Sequence, residues 1–368
     1  ASVIKDVSIM PKGLLLYRSF TQWVGGLGFA VFIILFLKTM RNGANNLFNA
    51  EFNSIEKEKD SPHIRNTVYK IFTIYSLLTL FCFLLLVRGE MNWFEALCHS
   101  FSTISTGGFS VSNGNIGSYS TYSQYVIILF MFLSGISYFL FLFAFKGKWK
   151  RLLKDEQLKF YVFLIFFFVF FLFFFEIFFK NYDFFSAIRI SLFYVVSIVS
   201  STGFDLQVNS LGMLPTIIFI FLMFVGGCSA SSSTGLKIVR VLVLIRYIPV
   251  SLKRIFHPRA IIPVRYNGKA LRDESVRLIF GFFFLFLLIF LAGAFSFSVM
   301  GNGFIVSLSL SAASISNMGP IMGSIAEGFS YGDLNIVSKY ILMVLMLIGR
   351  LEIYAFFALF SKSVWGRS

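Results

Sequence analysis

Charge is what this sequence lacks. Asp, Glu, Lys and Arg make up 13% of its 368 residues, about half the share usual in soluble domains. So little charge cannot coat a water-exposed surface of this size, which excludes an ordinary soluble globular protein. Cysteine and histidine number three each and are scattered. No spacing among them fits a disulfide framework or a metal centre. Cys98 and His99 are adjacent, but two neighbours without further ligands do not make a site. Of the ionisable residues in the apolar stretches, only Glu176, Arg350 and Glu352 qualify as lying at depth. Without a carboxylate pair, a histidine cluster or a Ser–Lys arrangement, a membrane-embedded enzyme is disfavoured, and no organic cofactor is called for. The chain opens "ASVIKDV", with no Met and no cleavable signal. The expectation is therefore a chain that begins part-way through its protein.

What is present is apolar. Hydrophobic residues make up 57% of the chain, and 51 residues are Phe. Seven runs, at 14–37, 67–87, 123–145, 160–179, 213–245, 278–300 and 336–360, reach the roughly 20 residues that a bilayer span needs. An all-α integral membrane protein with about seven spans follows, with membrane lipid as its first partner. The net charge of +15 could suggest nucleic acid. Its distribution argues against that. The stretches Lys38–Lys70, Lys146–Lys159, Lys237–Arg277 and Lys362–Arg367 hold 24 of the 32 Lys and Arg. Basic stretches alternate with poorly charged ones, and this pattern places the basic side in the cytoplasm. The acidic residues divide evenly between the two sides, so the basic residues carry the asymmetry.

Three polar phrases interrupt the apolar text. They are "STISTGGFS" (102–110), "SIVSSTGFD" (197–205) and "ASISNMGPI" (313–321). Each lies opposite the basic side. Each follows a segment too short or too polar to span, at 93–104, 184–199 and 303–315, and each precedes a long apolar run. The phrases align without gaps. Ser102, Ser197 and Ala313 share a column. Ser105, Ser200 and Ser316 share another, followed by Thr106, Ser201 and Asn317, and then by Gly107, Thr202 and Met318. Gly108, Gly203 and Gly319 form the next column. The repeat is span, half-helix, polar loop, span. It gives repeats at 67–146, 160–245 and 278–361, cytoplasmic loops at 39–66, 147–159 and 246–277, and a tail at 362–368. Residues 1–38 then read as the last span of a first, incomplete repeat. The expected architecture is a pseudo-fourfold set of span, pore-helix and span repeats around one ion pathway.

Non-helical backbone at membrane depth must be buried in protein or line water. Converging loops present rings of carbonyls, and carbonyls can replace the hydration shell of a cation. Glycine allows the positive φ that points successive carbonyls one way. The candidate ion-binding residues are therefore Ser105, Thr106, Gly107, Gly108, Ser200, Ser201, Thr202, Gly203, Ser316, Asn317, Met318 and Gly319. The run from Met213 to Ile245 is 33 residues. As one helix it would be about 50 Å long, against a hydrocarbon core of about 30 Å. Its centre, "GGCSASSSTG" (226–235), favours a break just cytoplasmic of the ion sites. The candidate gating residues there are Gly226, Gly227, Ser229, Ala230, Ser231, Ser232, Ser233 and Gly235. Helix packing through small residues is the other reading. Arg350 sits in "LMVLMLIGRLEIYAFF" and needs water or a partner, unless it snorkels to the cytoplasmic interface. Glu176 reads as an outer-interface residue. Glu56, Lys57, Glu58 and Lys59 read as a solvated face. Asn267-Gly268 between alternating residues signals a hairpin that projects from the membrane with Arg265 and Lys269.

Five stretches together carry a resemblance. They are "PKGLLLYRSFTQWVGGLG" (11–28), "HSFSTISTGGFS" (99–110), "GGCSASSSTGLKIVR" (226–240), "HPRAIIPVRYNGK" (257–269) and "GRLEIYAFFALF" (349–360). With the polar phrases, they make the chain resemble the Trk/Ktr/HKT superfamily of potassium transporters, and within it the bacterial Trk membrane subunits. The resemblance implies a channel-like subunit for potassium uptake in the cell inner membrane. It implies a carbonyl selectivity filter, an intramembrane gating loop that obstructs the pore, and Arg350 beside the pore near that loop. It also implies a homodimer and a cytosolic nucleotide-binding regulatory subunit that contacts the hairpin region. The family's first filter has no counterpart in this sequence, so sodium permeation stays an alternative. A cation-coupled alternating-access transporter, also built from repeats and broken helices, stays another.

Overall fold

The computed structural model describes residues 4, 6–39, 64–206, 212–260, 262–319, 331–351 and 353–358. They form helices and one two-stranded hairpin. In chain order the helices are α1 (Lys12–Thr39), α2 (Ile64–Arg88), α3 (Trp93–Ile104), α4 (Thr121–Ser134), α5 (Tyr138–Phe145), α6 (Trp149–Lys154), α7 (Glu156–Lys180), α8 (Phe184–Val199), α9 (Met213–Val225) and α10 (Ile238–Phe256). After β1 (Arg265–Tyr266) and β2 (Lys269–Ala270) come α11 (Asp273–Val299), α12 (Phe304–Ile315), α13 (Ile336–Arg350) and α14 (Ile353–Ala358).

The long helices are apolar all round, as lipid permits. In α7, Tyr161, Leu164, Ile165 and Leu172 are buried. Phe163, Phe166, Phe170, Phe174 and Phe178 lie exposed on the opposite side. Water would penalise that face; hydrocarbon does not. Asp155 caps this helix by accepting from the Leu158 amide at 3.0 Å.

Among the described residues, three helices are long and apolar enough to cross a membrane: Val68–Arg88, α7 and α11. The pair α4 and α5 makes a fourth if counted as one span, and it bends by 94°. About seven spans were expected, one of them interrupted at 226–235. Three of the seven runs are helical but broken. The breaks fall at 135–137, at 226–237 and after Arg350. Only the second was expected. The segments read as half-helices are α3, α8 and α12, with 12, 16 and 12 residues. At 1.5 Å per residue they reach only part of the way through a bilayer.

Each half-helix packs on the span before it: α3 on α2, α8 on α7 and α12 on α11. Each also meets a span from the preceding part of the chain: α1 touches α3, α4 touches α8 and α9 touches α12. The half-helices are the most enclosed elements. Ser100, Ser102, Thr103, Ser197, Ser311 and Ser314 are buried in them. Several of their hydroxyls find helix carbonyls, as Thr103 does on His99 at 2.7 Å and Ser314 on Leu310 at 2.6 Å.

Candidate functional site

The three half-helices end in the same way. Ser105, Ser200 and Ser316 close them in right-handed conformation. The next residue in each is left-handed: Thr106 has φ 54°, Ser201 59° and Asn317 51°. The amides of Gly107, Thr202 and Met318 then donate back to Ser102, Ser197 and Ala313 at 2.7, 2.9 and 2.9 Å. This is a Schellman-type closure, usually built on glycine. Two residues after the first left-handed one, Gly108 and Gly203 take φ 71° and 77°. Gly319 is the last described residue of its loop.

The first two loops touch. A Cβ on Gly108 would collide with the Thr202 carbonyl and sit 3.1 Å from the Gly203 carbonyl carbon. Side chains hold the loops from behind. The Ser102 hydroxyl accepts from the Phe109 amide at 3.0 Å, and the Ser197 hydroxyl donates to the Phe204 carbonyl at 2.8 Å. Tyr194 donates to Asp205 at 2.7 Å. Thr106, Ser201 and Thr202 are buried. Among the described residues, the carbonyls of Thr106, Gly107, Gly108, Ser201, Thr202 and Gly203 receive no protein hydrogen bond. Buried carbonyls are rarely left so, and a cation is one group that suits them.

Beneath these ends lies the loop between α9 and α10. The chain leaves the helix axis at Gly226 and returns to it. Leu236 donates to Phe224 at 3.0 Å, and Ile238 donates to Gly227 at 3.1 Å. Ser229, Ser231, Ser232 and Ser233 are all buried. The loop is bonded to all three half-helix ends. Ser232 donates to the Ile104 carbonyl at 3.0 Å and accepts from Thr106 on its own carbonyl at 3.1 Å. Ser201 donates to the Thr234 carbonyl at 3.1 Å and accepts from the Thr234 amide at 3.2 Å. The Thr234 hydroxyl donates to the Ser316 carbonyl. Tyr138 and Ser232 share a hydroxyl contact of 2.6 Å, and the Tyr138 amide donates to Ala230 at 3.0 Å. Ala230, with φ 56°, turns the loop at that point.

Arg350 ends α13 and reaches inward. Its guanidinium donates to the Ser232 carbonyl at 3.4 Å and to the Gly25 carbonyl at 3.3 Å. The loop, the helix ends and Arg350 therefore form one contiguous cluster.

A column of glycines went unread in the sequence. Gly26, Gly135, Gly227 and Gly349 follow Trp23–Gly25, Phe132–Ser134, Phe224–Gly226 and Leu347–Ile348 at matching places in the spans. Several of them sit against half-helix ends. A Cβ on Gly26 would lie 2.9 Å from Ser105 Cα and 2.8 Å from the Tyr75 hydroxyl. One on Gly349 would strike the Ile315 carbonyl. The repeated glycine was the available signal. Gly26→Ala is expected to destabilise the protein by about 1–3 kcal/mol through overpacking. Gly25→Ala, with nothing within 4 Å of its added methyl, is expected to be neutral or slightly stabilising. Thermal unfolding in detergent of the two neighbouring variants checks this.

The remaining residues divide. The hairpin forms on Asn267 (φ 47°) and Gly268 (φ 75°), with Arg265 opposite Ala270. It is tied down rather than projecting freely. Glu156 accepts from the Asn267 amide and from Arg246, both at 2.6 Å, and Asn267 donates to Asp155 at 2.9 Å. Tyr266 is fully buried, while Arg265 and Lys269 are exposed. Glu176, near the end of α7, is buried against the rest of the protein. Cys82, Cys98 and Cys228 are free and buried. Among the described residues no metal-ligating group forms. Glu56, Lys57, Glu58, Lys59, Glu352 and the tail at 362–368 lie outside the described residues.

Long apolar helices, half-helices and buried polar loops define a multi-pass membrane transport protein. The family model described as cation transport protein, TrkH, matches residues 1–366. The chain belongs to that family, whose members are transporters and not enzymes. It is 30% identical over 370 residues to the Trk system potassium uptake protein TrkH of Halomonas elongata, covering 99% of this chain and 76% of that protein. To TrkG of Escherichia coli it is 32% identical over 369 residues, with the same coverage of 99% and 76%. The crystal structure of the potassium transporter TrkH from Vibrio parahaemolyticus superposes with a TM-score of 0.88 at 30% identity. That match covers 100% of this chain and 76% of the other.

Proposed function

We propose that this chain conducts potassium into the cell through a carbonyl filter, closed from below by the loop at 226–235. The observation that carries the reading is the set of enclosed carbonyls, half-buried at Gly107 and Gly108 and buried at Thr106 and Ser201–Gly203, that meet no protein donor among the described residues. They lie directly above a loop bonded to all three helix ends. Ser105, Thr106, Gly107, Gly108, Ser200, Ser201, Thr202, Gly203, Ser316, Asn317, Met318 and Gly319 are the filter residues in this reading. Gly226, Gly227, Ser229, Ala230, Ser231, Ser232, Ser233, Gly235 and Arg350 are the gate. Potassium is the transported ion. The names of the similar proteins support that choice.

The repeats surround one axis pseudo-fourfold, with α1 as the last span of the first unit. The contacts of α1 with α3, α4 with α8 and α9 with α12 favour this arrangement. The reading extends to a homodimer and to a cytosolic nucleotide-binding regulatory subunit. The exposed Arg265 and Lys269 of the hairpin offer that subunit a basic contact.

Gly108→Ser and Gly203→Ser test the filter. A side chain at a left-handed position crowded by a carbonyl must shift that carbonyl. Potassium over sodium discrimination is expected to fall about tenfold, equivalent to about 1.4 kcal/mol of differential binding. Tracer competition in liposomes measures it. Unchanged selectivity in both variants, with protein inserted, would end the filter assignment.

A further inference from the structure

Directly after the gate loop stands a lysine with no assigned role. Lys237 precedes α10 and is only 5% exposed. Its φ is 69°, a region that a long side chain rarely occupies and that glycine enters freely. Two residues earlier Gly235 takes φ 97°. The backbone at 237 would thus be served more easily by glycine, yet the position carries a charged side chain. Lys237 lines one small cavity together with Ser233, Thr234, Gly235, Gly349 and Arg350. Among the described residues its ammonium makes no hydrogen bond or ion pair. Arg240, one turn later, behaves differently, because its guanidinium stacks 3.6 Å over the Phe282 ring. An enclosed ammonium without a partner is costly unless it faces water or a passing ion.

We propose that Lys237 is a charge carried on the gate that repels cations entering the cavity from the cytoplasm and so sets the leak of the closed state. Its chain continuity with Gly235 means that it moves when the loop moves. Opening then displaces the obstruction and the charge together. Arg350 reaches the loop from another helix, so the two charges need not move as one. Lys237 is thereby distinct from Arg350, although both line one cavity. The inference rests on the reading of the loop at 226–235 as the gate.

The test is rubidium tracer flux through wild type and four variants in liposomes, with insertion checked by monodisperse elution. Removing one unit charge beside the path is expected to raise closed-state flux about tenfold. Lys237→Gln and Lys237→Met should both do so, since they keep the backbone cost and lose the charge. Lys237→Arg should stay at the wild-type level. A rise in Lys237→Gly alone would assign the effect to the backbone and overturn the proposal. If Gln and Met also fail to insert while Arg inserts, Lys237 is a folding residue and the proposal falls. A chain shortened within Ser229–Ser233 serves as the reference. If it conducts more than wild type and the Gln and Met variants do not, Lys237 is no barrier while the gate reading stands. If the shortened chain also conducts no more, the gate reading fails as well.

Discussion

Shortening the loop by removing Ser231, Ser232 and Ser233 is expected to raise ion flux about thirtyfold. The loop is held in place by specific bonds. Ser232 bonds to Ile104, Thr106 and Tyr138, and its carbonyl also receives Arg350. Ser231 and Ser233 brace the loop internally at 2.6 Å. Each bond contributes about 1 kcal/mol net. Losing the equivalent of two shifts the closed-to-open ratio by about thirtyfold. On the gate reading, the deletion also removes bulk from beneath the proposed filter. Thr234 and its bond to Ser316 remain, so the effect is partial and not complete. Tracer uptake per inserted protein is the measurement. Abolished flux in folded, inserted protein would make the loop a packing element and remove it from the mechanism.

The half-helices were legible because their cues are local. α3, α8 and α12 end within a residue of the expected limits, since Ser-rich helix ends followed by glycine mark a cap. The break after Val225 was legible because the run was too long for a bilayer and its centre was glycine and serine. The hairpin was legible because Asn-Gly selects its turn. The break at 135–137 was not. Gly135 and Ser137 stand among apolar residues and give no composition shift. What breaks the helix there is tertiary: the Gly135 carbonyl receives the Cys228 amide at 3.0 Å, and Tyr138 turns to bond Ala230. The loop after Val225 thus reshapes its neighbour, and no reading of one span alone reveals that. The left-handed Thr106 and Ser201 were hidden for a similar reason. Neither residue type favours that conformation, and the surrounding bonds impose it.

Arg350 gives the second large effect. Its guanidinium presents five donors and no acceptor, and it donates both to the loop at Ser232 and to α1 at Gly25. On the gate reading, the side chain ties the loop to a neighbouring span. It also places a positive charge against the cation. At about 8 Å and an effective dielectric of about 20, the repulsion is about 2 kcal/mol. Arg350→Gln keeps a donor for Ser232 and removes the charge. Conductance is expected to rise about thirtyfold. Arg350→Lys keeps the charge but holds one carbonyl instead of two, because an ammonium lacks the guanidinium's span. It should therefore fall between wild type and Gln, which separates the tether from the charge. Single-channel or tracer measurements at two salt concentrations add a further check. A barrier made by charge weakens as ionic strength rises, whereas a purely mechanical tether responds little. Equal flux in all three proteins would return Arg350 to the role of a residue that merely anchors the end of α13.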